Sequence, residues 1–319
     1  MRIDLKPDAE TAELQEDGVV RTHLRGTAMS SNTRGGALRD VTADTAVLDT
    51  VQTMLDERIS RGQLDIPILP EVAMQIVTLT SDPDVDAHRL SAIVHRDPAL
   101  ASHVLCIANS PLFMPGVPIV SLRQAVARLG IRQLAQVALA ASIKATAFSA
   151  RGFKPLVERM RIEATTCGAW SREIARHVRK NTETAFLCGL VHRVGGPVVL
   201  QAIYDIAKEL DQTVDEVDAL LLLRLYGAPV GAAVAQKWGL PDVVRAVIAS
   251  GGDTRFNEKH RDAIAITRAA RTFGEHVGKE AEGLPHHRCF ELLDLYPEDV
   301  QKLLGRADAV ADFATAMEG

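Results

Sequence analysis

A chain of 319 residues that is 47% hydrophobic and 24% charged has ample material for a core, as one large domain or two modest ones. The net charge of -5 excludes a chain-wide pull toward nucleic acid or an anionic membrane. Aromatics make up only 4%, so the core must rest on Ala, Val and Leu, which suits closely packed helices.

Residues 1–45 lack periodicity and are rich in Asp, Glu, Arg, Thr, Ser and Gly. Such a stretch cannot bury enough apolar surface to offset its ordering entropy, so it is expected to be a flexible tail. Its opening, "MRIDLKPDAETAELQEDG", has no apolar core of signal-peptide type.

From Val47 the pattern turns helical. "DTAVLDTVQTMLDERIS" puts Val47, Leu48, Val51, Met54, Leu55 and Ile59 on one face. "LPEVAMQIVTLTSDP" starts after Pro70 and stops at Asp82-Pro83. "DPALASHVLCIANS" opens with Asp97 as N-cap and Pro98 at the first helical position. It ends at Asn109-Ser110, with Pro111 unable to continue it. The amide of Asn109 is expected to bond nearby main chain at that helix end, a structural role. "SLRQAVARLG" carries a capping box, Ser121 with Gln124, and stops at Gly130. A long helix follows.

The segment "SARGFKP", residues 149–155, is the expected seam between subdomains. Beyond it, helices are expected over "RIEATTCGAWSREIARHVRK", "ETAFLCGLVHRV", "PVVLQAIYDIAKEL" and "TVDEVDALLLLRLYG", the last capped by Thr213 with Glu216. "PVGAAVAQKWG" and "PDVVRAVIASGG" follow as separate segments, and two or three helices run from Glu258 to the end. No stretch alternates at period two for long enough to make a strand. The predicted fold is all-α: a tail (1–45), an N-terminal helical subdomain (46–150), a second helical subdomain (151–255) and a C-terminal extension (256–319).

Cys106, Cys167, Cys188 and Cys289 form no C-x-x-C pair or zinc spacing and read as buried free thiols of a reducing cytoplasm. The most apolar stretches, such as "QLAQVALAASIKATAF", are too short and interrupted to span a bilayer, so no membrane insertion is expected.

Several motif-like features carry no chemistry. "HRD" at His95–Asp97 is a fragment of a kinase catalytic loop, but the position that needs a metal-binding Asn holds Ser102. Asp97 reads as a helix cap. His286-His287 lacks an E-x-x-H framework and reads as a solvated loop. No G-x-S-x-G or Walker sequence is present. The interval 151–180 is basic, and Arg172, Arg176 and Arg179 are spaced to share a helix face. This is either an anion or nucleic-acid patch or an ordinary solvated face. The second reading is preferred, because no aromatics interleave to stack bases.

The run "IPILPEVAMQIVTLTSDPDVDAHRLSAIVHRDPALASHVLCIANSPLF", followed by "IVSLRQAVARLGIRQL", resembles the N-terminal half of the HDOD family. "AFLCGLVHRVGG" resembles that family's Gly-Leu-Leu-His-Asp-Ile-Gly block, and "GAAVAQKWGLPDVVRAVI" its later Trp-x-Leu-Pro block. The likeness covers roughly residues 64–252. It implies a multi-helical fold related to HD-domain phosphohydrolases, which hold a divalent metal with separated histidines and a His-Asp doublet. It places the ligand positions at or near Glu163, His192-Arg193, Gly227 and Ser250-Gly251.

Most of that ligand set is missing here. No histidine occurs from Val178 to Val191 or from Arg193 to Lys259. A guanidinium beside a dication would cost kcal/mol-scale repulsion. His192 reads as a core histidine bonded by its neighbours, and Arg193 must find solvent, a carboxylate, a carbonyl or a bound anion.

The resemblance therefore implies a degenerate HD site with no catalytic residue, cofactor or metal. It implies a non-catalytic bacterial signalling protein, cytoplasmic and working through protein partners. The alternatives are a metal-dependent phosphohydrolase with an unrecognised ligand set, or a nucleotide or nucleic-acid binder using the basic 151–180 segment together with the vacated pocket, with a cyclic dinucleotide as one candidate ligand.

Overall fold

Helices are the regular secondary structure of the described residues, and no strand occurs among them. The computed structural model describes residues 41–80, 87–109, 116–147, 150–253, 257–276 and 288–318. Two compact units emerge, residues 1–63 and 64–319. The boundary expected near residue 150 falls inside the second unit.

The first unit contributes helix α1, Val41–Ser60. It begins six residues before the apolar periodicity at Val47, because its polar first turn carries no such signal. Residues 1–40 of the expected tail lie outside the described residues.

In the second unit, α2 (Glu71–Thr80) starts on the carbonyl of Pro70, which accepts from the Met74 N–H. Helix α3 spans Ala87–His95, and α4 spans Pro98–Ala108. Asp97 caps α4 by accepting from the N–H groups of Ala99 and Leu100, each at 3.0 Å. The "HRD" triplet is thus a helix boundary. Asn109 closes α4 with φ -96°, and its side chain makes the main-chain bonds expected of it. Ser110 lies outside the described residues.

Helix α5 (Leu122–Ala147) is two helices merged across Gly130, whose φ of 77° and ψ of 160° break the turn where the sequence placed a helix end. Half of the capping box before it forms: the Gln124 N–H donates to Ser121 Oγ at 3.2 Å, but Gln124 Oε1 accepts at 2.8 Å from the Val120 N–H, one residue before the expected Ser121 N–H.

Helix α6 (Lys154–His177) is the central element of the second half. It packs most extensively on α7 (Thr182–Val191), then on α11 (Arg261–Glu275) and α14 (Ala307–Glu318). A Cβ on Gly189 would meet Cys167 O at 2.6 Å and Gly168 Cα at 2.7 Å, so the α6–α7 crossing requires a glycine there. Helix α8 (Gly195–Glu209) packs on α9 (Glu216–Lys237), and α10 (Asp242–Ala249) packs on α9. Trp170 of α6 stacks on Phe273 of α11 at 4.8 Å. Trp238 Nε1 donates to Pro67 O at 2.8 Å, tying the end of α9 to the segment before α2.

Some sequence expectations are corrected. The α9 cap is Asp215, which accepts from the Asp218 N–H, and not Thr213. Helix α9 also runs unbroken through Pro229, where two segments were expected. The proline and Leu225, four residues earlier, both lie on the exposed face, so water can take up the freed Leu225 carbonyl. The C-terminal part holds α11, α12 (Arg288–Leu292), α13 (Pro297–Leu304) and α14 among the described residues, more than expected, because α12 and α13 are too short to show periodicity.

Arg179 does not share the face of Arg172 and Arg176. Helix α6 ends at His177, and Arg179 takes φ 56° in the following turn. Arg172 lies 5.0 Å over the Phe313 ring, and Arg176 pairs with Glu173, which also holds Arg306. The expected basic face is therefore broken up by packing and internal pairing. Cys167, Cys188 and Cys289 are buried free thiols as expected, whereas Cys106 is exposed. Burial pushes the Cys167 and Cys188 thiols up to about 12. The pair His286-His287 lies outside the described residues.

Two stretches, Thr182–Glu209 and Glu216–Lys237, are long and apolar enough to cross a membrane by length and composition. The first is mostly buried inside the protein, as a core helix would be.

Candidate functional site

The short turn between α7 and α8 sets the site. Asn181 starts α7 by accepting from the Thr184 N–H at 2.7 Å, and the helix delivers His192 and Arg193 at its end. Gly195 and Gly196 then open α8 against α9. A Cβ on Gly195 would lie 2.3 Å from both Gly227 O and Gly231 N, so only glycine allows α8 this close to α9. That approach brings Gly227 opposite the doublet.

His192 is held by its own helix. The Gly189 carbonyl can only accept, so Nδ1 carries the proton and donates to it at 2.7 Å. The ring is therefore the Nε2 lone-pair tautomer. Burial, then the nearby Arg271 charge, push its pKa down to about 3, and Arg193 adds to this. The imidazole stays neutral at physiological pH.

Arg193 resolves the question posed by its position. Its Nη1 donates to Glu163 Oε2 at 2.6 Å, from the turn across to α6. Two of the positions expected to hold metal ligands thus hold each other. The pair is half-exposed, so its energetic contribution is small, about 0–1 kcal/mol.

A cavity of about 300 Å³ opens beside this turn. His192, Arg193, Gly227, Ser250 and Gly251 all line it. Glu163 lines an adjoining cavity of about 230 Å³, which shares His192, Arg193 and Arg271 with the first. The positions placed by resemblance therefore converge. The Ser250 hydroxyl turns inward, donating to Val247 O at 2.7 Å and accepting from the Gly252 N–H at 3.1 Å.

Sequence reasoning missed Arg224 of α9 and Arg268 and Arg271 of α11, which also line the larger cavity. A signal for each was present. Arg224 interrupts the apolar run "LLLLRLYG", and Arg268 and Arg271 sit three apart on one helix face. No Asp or Glu lines this cavity among the described residues.

The donor set does not suit the divalent metal of HD enzymes. It offers one imidazole, a carboxylate already held by a guanidinium, and four arginines. Among the described residues no cluster of three His, Cys, Asp or Glu could hold a metal ion.

The helical fold, with a histidine turn facing a cavity walled by α9, α10 and α11, defines an HD-like helical protein whose doublet reads His-Arg. The chain belongs to the HDOD family, whose domain matches residues 66–253. A solved structure from Shewanella amazonensis SB2B, provisionally named a metal-dependent phosphohydrolase, is similar with a TM-score of 0.62 and 21% identity, covering 86% of this chain and 98% of that one. Another from Marinobacter aquaeolei VT8, provisionally named a signal transduction protein, gives a TM-score of 0.63 and 19% identity, covering 88% of this chain and 67% of the other. These likenesses show the fold. An uncharacterized protein of Treponema pallidum (strain Nichols) is 26% identical over 207 residues, 62% of this chain. The match spans only 39% of that relative's length.

Proposed function

We propose that this chain is a non-catalytic bacterial signalling protein of the HDOD family, acting in the cytoplasm through protein contacts, with its HD hydrolytic site lost. The Arg193–Glu163 ion pair carries this reading. At 2.6 Å it puts a fixed positive charge where the family's doublet would hold a metal-binding carboxylate, and it occupies the one acidic position of the set. Hydrolysis by HD relatives needs a metal-activated water. A neutral His192 alone cannot assemble that centre.

Two further features support the reading. The four cysteines are unpaired, as in a reducing compartment. Helix α9 also presents Val217, Leu221 and Leu225 to solvent, 66%, 47% and 57% exposed, as a four-residue repeat along one face. Apolar surface of this kind is commoner at protein contacts than on an isolated surface.

The test is an assay of the purified protein on cyclic dinucleotides and a chromogenic phosphodiester, with Mn²⁺ or Mg²⁺ added. No turnover above the buffer is expected. Metal-dependent turnover that disappears in His192→Ala would overturn the reading in favour of a phosphohydrolase with an unusual ligand set.

A further inference from the structure

The larger cavity beside His192 gathers four guanidinium groups from three places in the fold. Arg193 comes from the α7–α8 turn, Arg224 from α9, and Arg268 and Arg271 from α11. Arg193 spends one nitrogen on Glu163. Arg224, Arg268 and Arg271 have no ion pair with a carboxylate among the described residues. His192, which also lines the cavity, carries no negative charge in either protonation state and cannot compensate them.

Like charges gathered in a partly enclosed cavity repel, and burial strengthens the effect. Several arginines outside the cavity are internally satisfied: Arg176 and Arg306 share Glu173, Arg161 pairs with Glu158, and Arg245 with Asp242. What sets the cavity apart is that it brings several arginines without such a partner, from α9 and α11, to one concave site. The rest of its wall includes an apolar part, from Met160, Leu223, Val247 and Ile264, beside the hydroxyls of Ser250 and Thr267, which bond main chain of their own segments. The turn after α10 adds main chain at Gly251 and Gly252, with φ of 57° and 98°, conformations that favour glycine and keep this edge free of side chains.

We propose that this cavity binds a small phosphate ester, with the arginines on the phosphate oxygens and the apolar wall against the group it carries. Guanidinium forks match phosphate oxygens in bidentate geometry, which Arg224, Arg268 and Arg271 can offer, with Arg193 beside them keeping donors beyond the one given to Glu163. The volume lies at the small end of ligand pockets, suited to one phosphorylated unit of about mononucleotide size. The inference rests on the reading that no metal occupies the doublet position, since a metal would compete with the arginines for the same phosphate.

The experiment is calorimetric titration of the full chain with guanosine 5′-monophosphate, adenosine 5′-monophosphate and inorganic pyrophosphate, and with guanosine as the phosphate-free control. One-to-one binding of at least one phosphorylated probe is expected, weakening as salt rises, with no binding of guanosine. Arg224→Gln and Arg268→Gln should each weaken it at least tenfold. Arg224 lies on the exposed face of α9, so its substitution leaves the core untouched. Arg176→Gln, on the far α6 end, should leave binding unchanged.

Failure of all phosphorylated probes to bind at millimolar concentration overturns the proposal. So does binding that is indifferent to both arginine substitutions, or guanosine binding as well as its monophosphate. Pyrophosphate binding as tightly as the nucleotides would assign the site to the phosphate group alone, and tighter nucleotide binding would bring in the apolar wall. Hydrolysis of a bound probe would instead defeat the non-catalytic reading and leave the binding site standing.

Discussion

The junction between α4 and α5 and the cavity beside α7 treat polar groups in opposite ways. At the junction, Asn109 spends its whole amide inside the protein. Its Nδ2 donates to Leu105 O at 2.9 Å and to Ile119 O at 2.7 Å, and its Oδ1 accepts from the Ile119 N–H at 2.7 Å. In the cavity, Arg224, Arg268 and Arg271 have no carboxylate partner among the described residues. A polar side chain that builds the fold saturates itself against the main chain. A polar side chain kept for a ligand is left with donors to spend. The contrast separates structural from binding residues within one family fold, where a motif alone does not.

The comparison breaks first at Asn109. Asn109→Leu removes three hydrogen bonds and strands the N–H and C=O of Ile119, at a cost of about 2–4 kcal/mol. For a unit of this size that lowers the melting temperature by roughly 5–12 °C. Calorimetry of the variant checks it, and a melting temperature within 1–2 °C of the parent, about the shift of a surface change, would remove Asn109 from the structural class.

An intermediate effect belongs to His192. Its folded pKa is held near 3, well below the unfolded value of about 6.5. The unfolded chain therefore binds a proton that the folded chain refuses as pH falls below 6.5, and stability drops progressively from there toward pH 3. Asp242 and Asp299, whose carboxyls are held low by hydrogen bonds from their neighbours, act only below their unfolded values near 4. Between pH 7 and pH 5 the histidine dominates these three. Melting curves across that interval should fall with acid in the parent and fall less in His192→Gln. Equal slopes would place the imidazole in a solvated, freely protonated setting.

The smallest effect is expected at the cavity. In the absence of ligand, Arg224→Gln relieves repulsion and breaks no ion pair, so its melting temperature should match the parent or exceed it slightly. A loss as large as that of Asn109→Leu would show that Arg224 is structural after all.

Local signals in the sequence were legible where the partner lies within four residues. Asp97 and Pro98, the Ser121 cap on the Gln124 N–H, and the break at Gly130 are found as read, because each depends on its own turn. The same logic misfired at Thr213, since Asp215 competes for the same α9 cap and lies two residues closer to the apolar run. Pro229 misled because the rule against proline inside a helix is relaxed on an exposed face. Arg179 fell off its expected face because the helix ended two residues earlier.

The candidate site was half legible. Resemblance brought Glu163, His192, Arg193, Gly227, Ser250 and Gly251 to one place in the fold. It could not supply Arg224, Arg268 and Arg271, whose meaning lies in α9 and α11 meeting at the α7–α8 turn, a property of the tertiary fold. The pairing of Arg193 with Glu163 needed the structure for the same reason, since 30 residues separate the two.

The central claim is that the Arg193–Glu163 pair stands in place of a metal centre. Titrating Mn²⁺ into chelator-treated protein tests it most directly, followed by calorimetry and by elemental analysis after desalting. The account predicts no stoichiometric binding of Mn²⁺, in the parent or in His192→Ala. One equivalent of Mn²⁺ retained by the parent and lost in His192→Ala would contradict it.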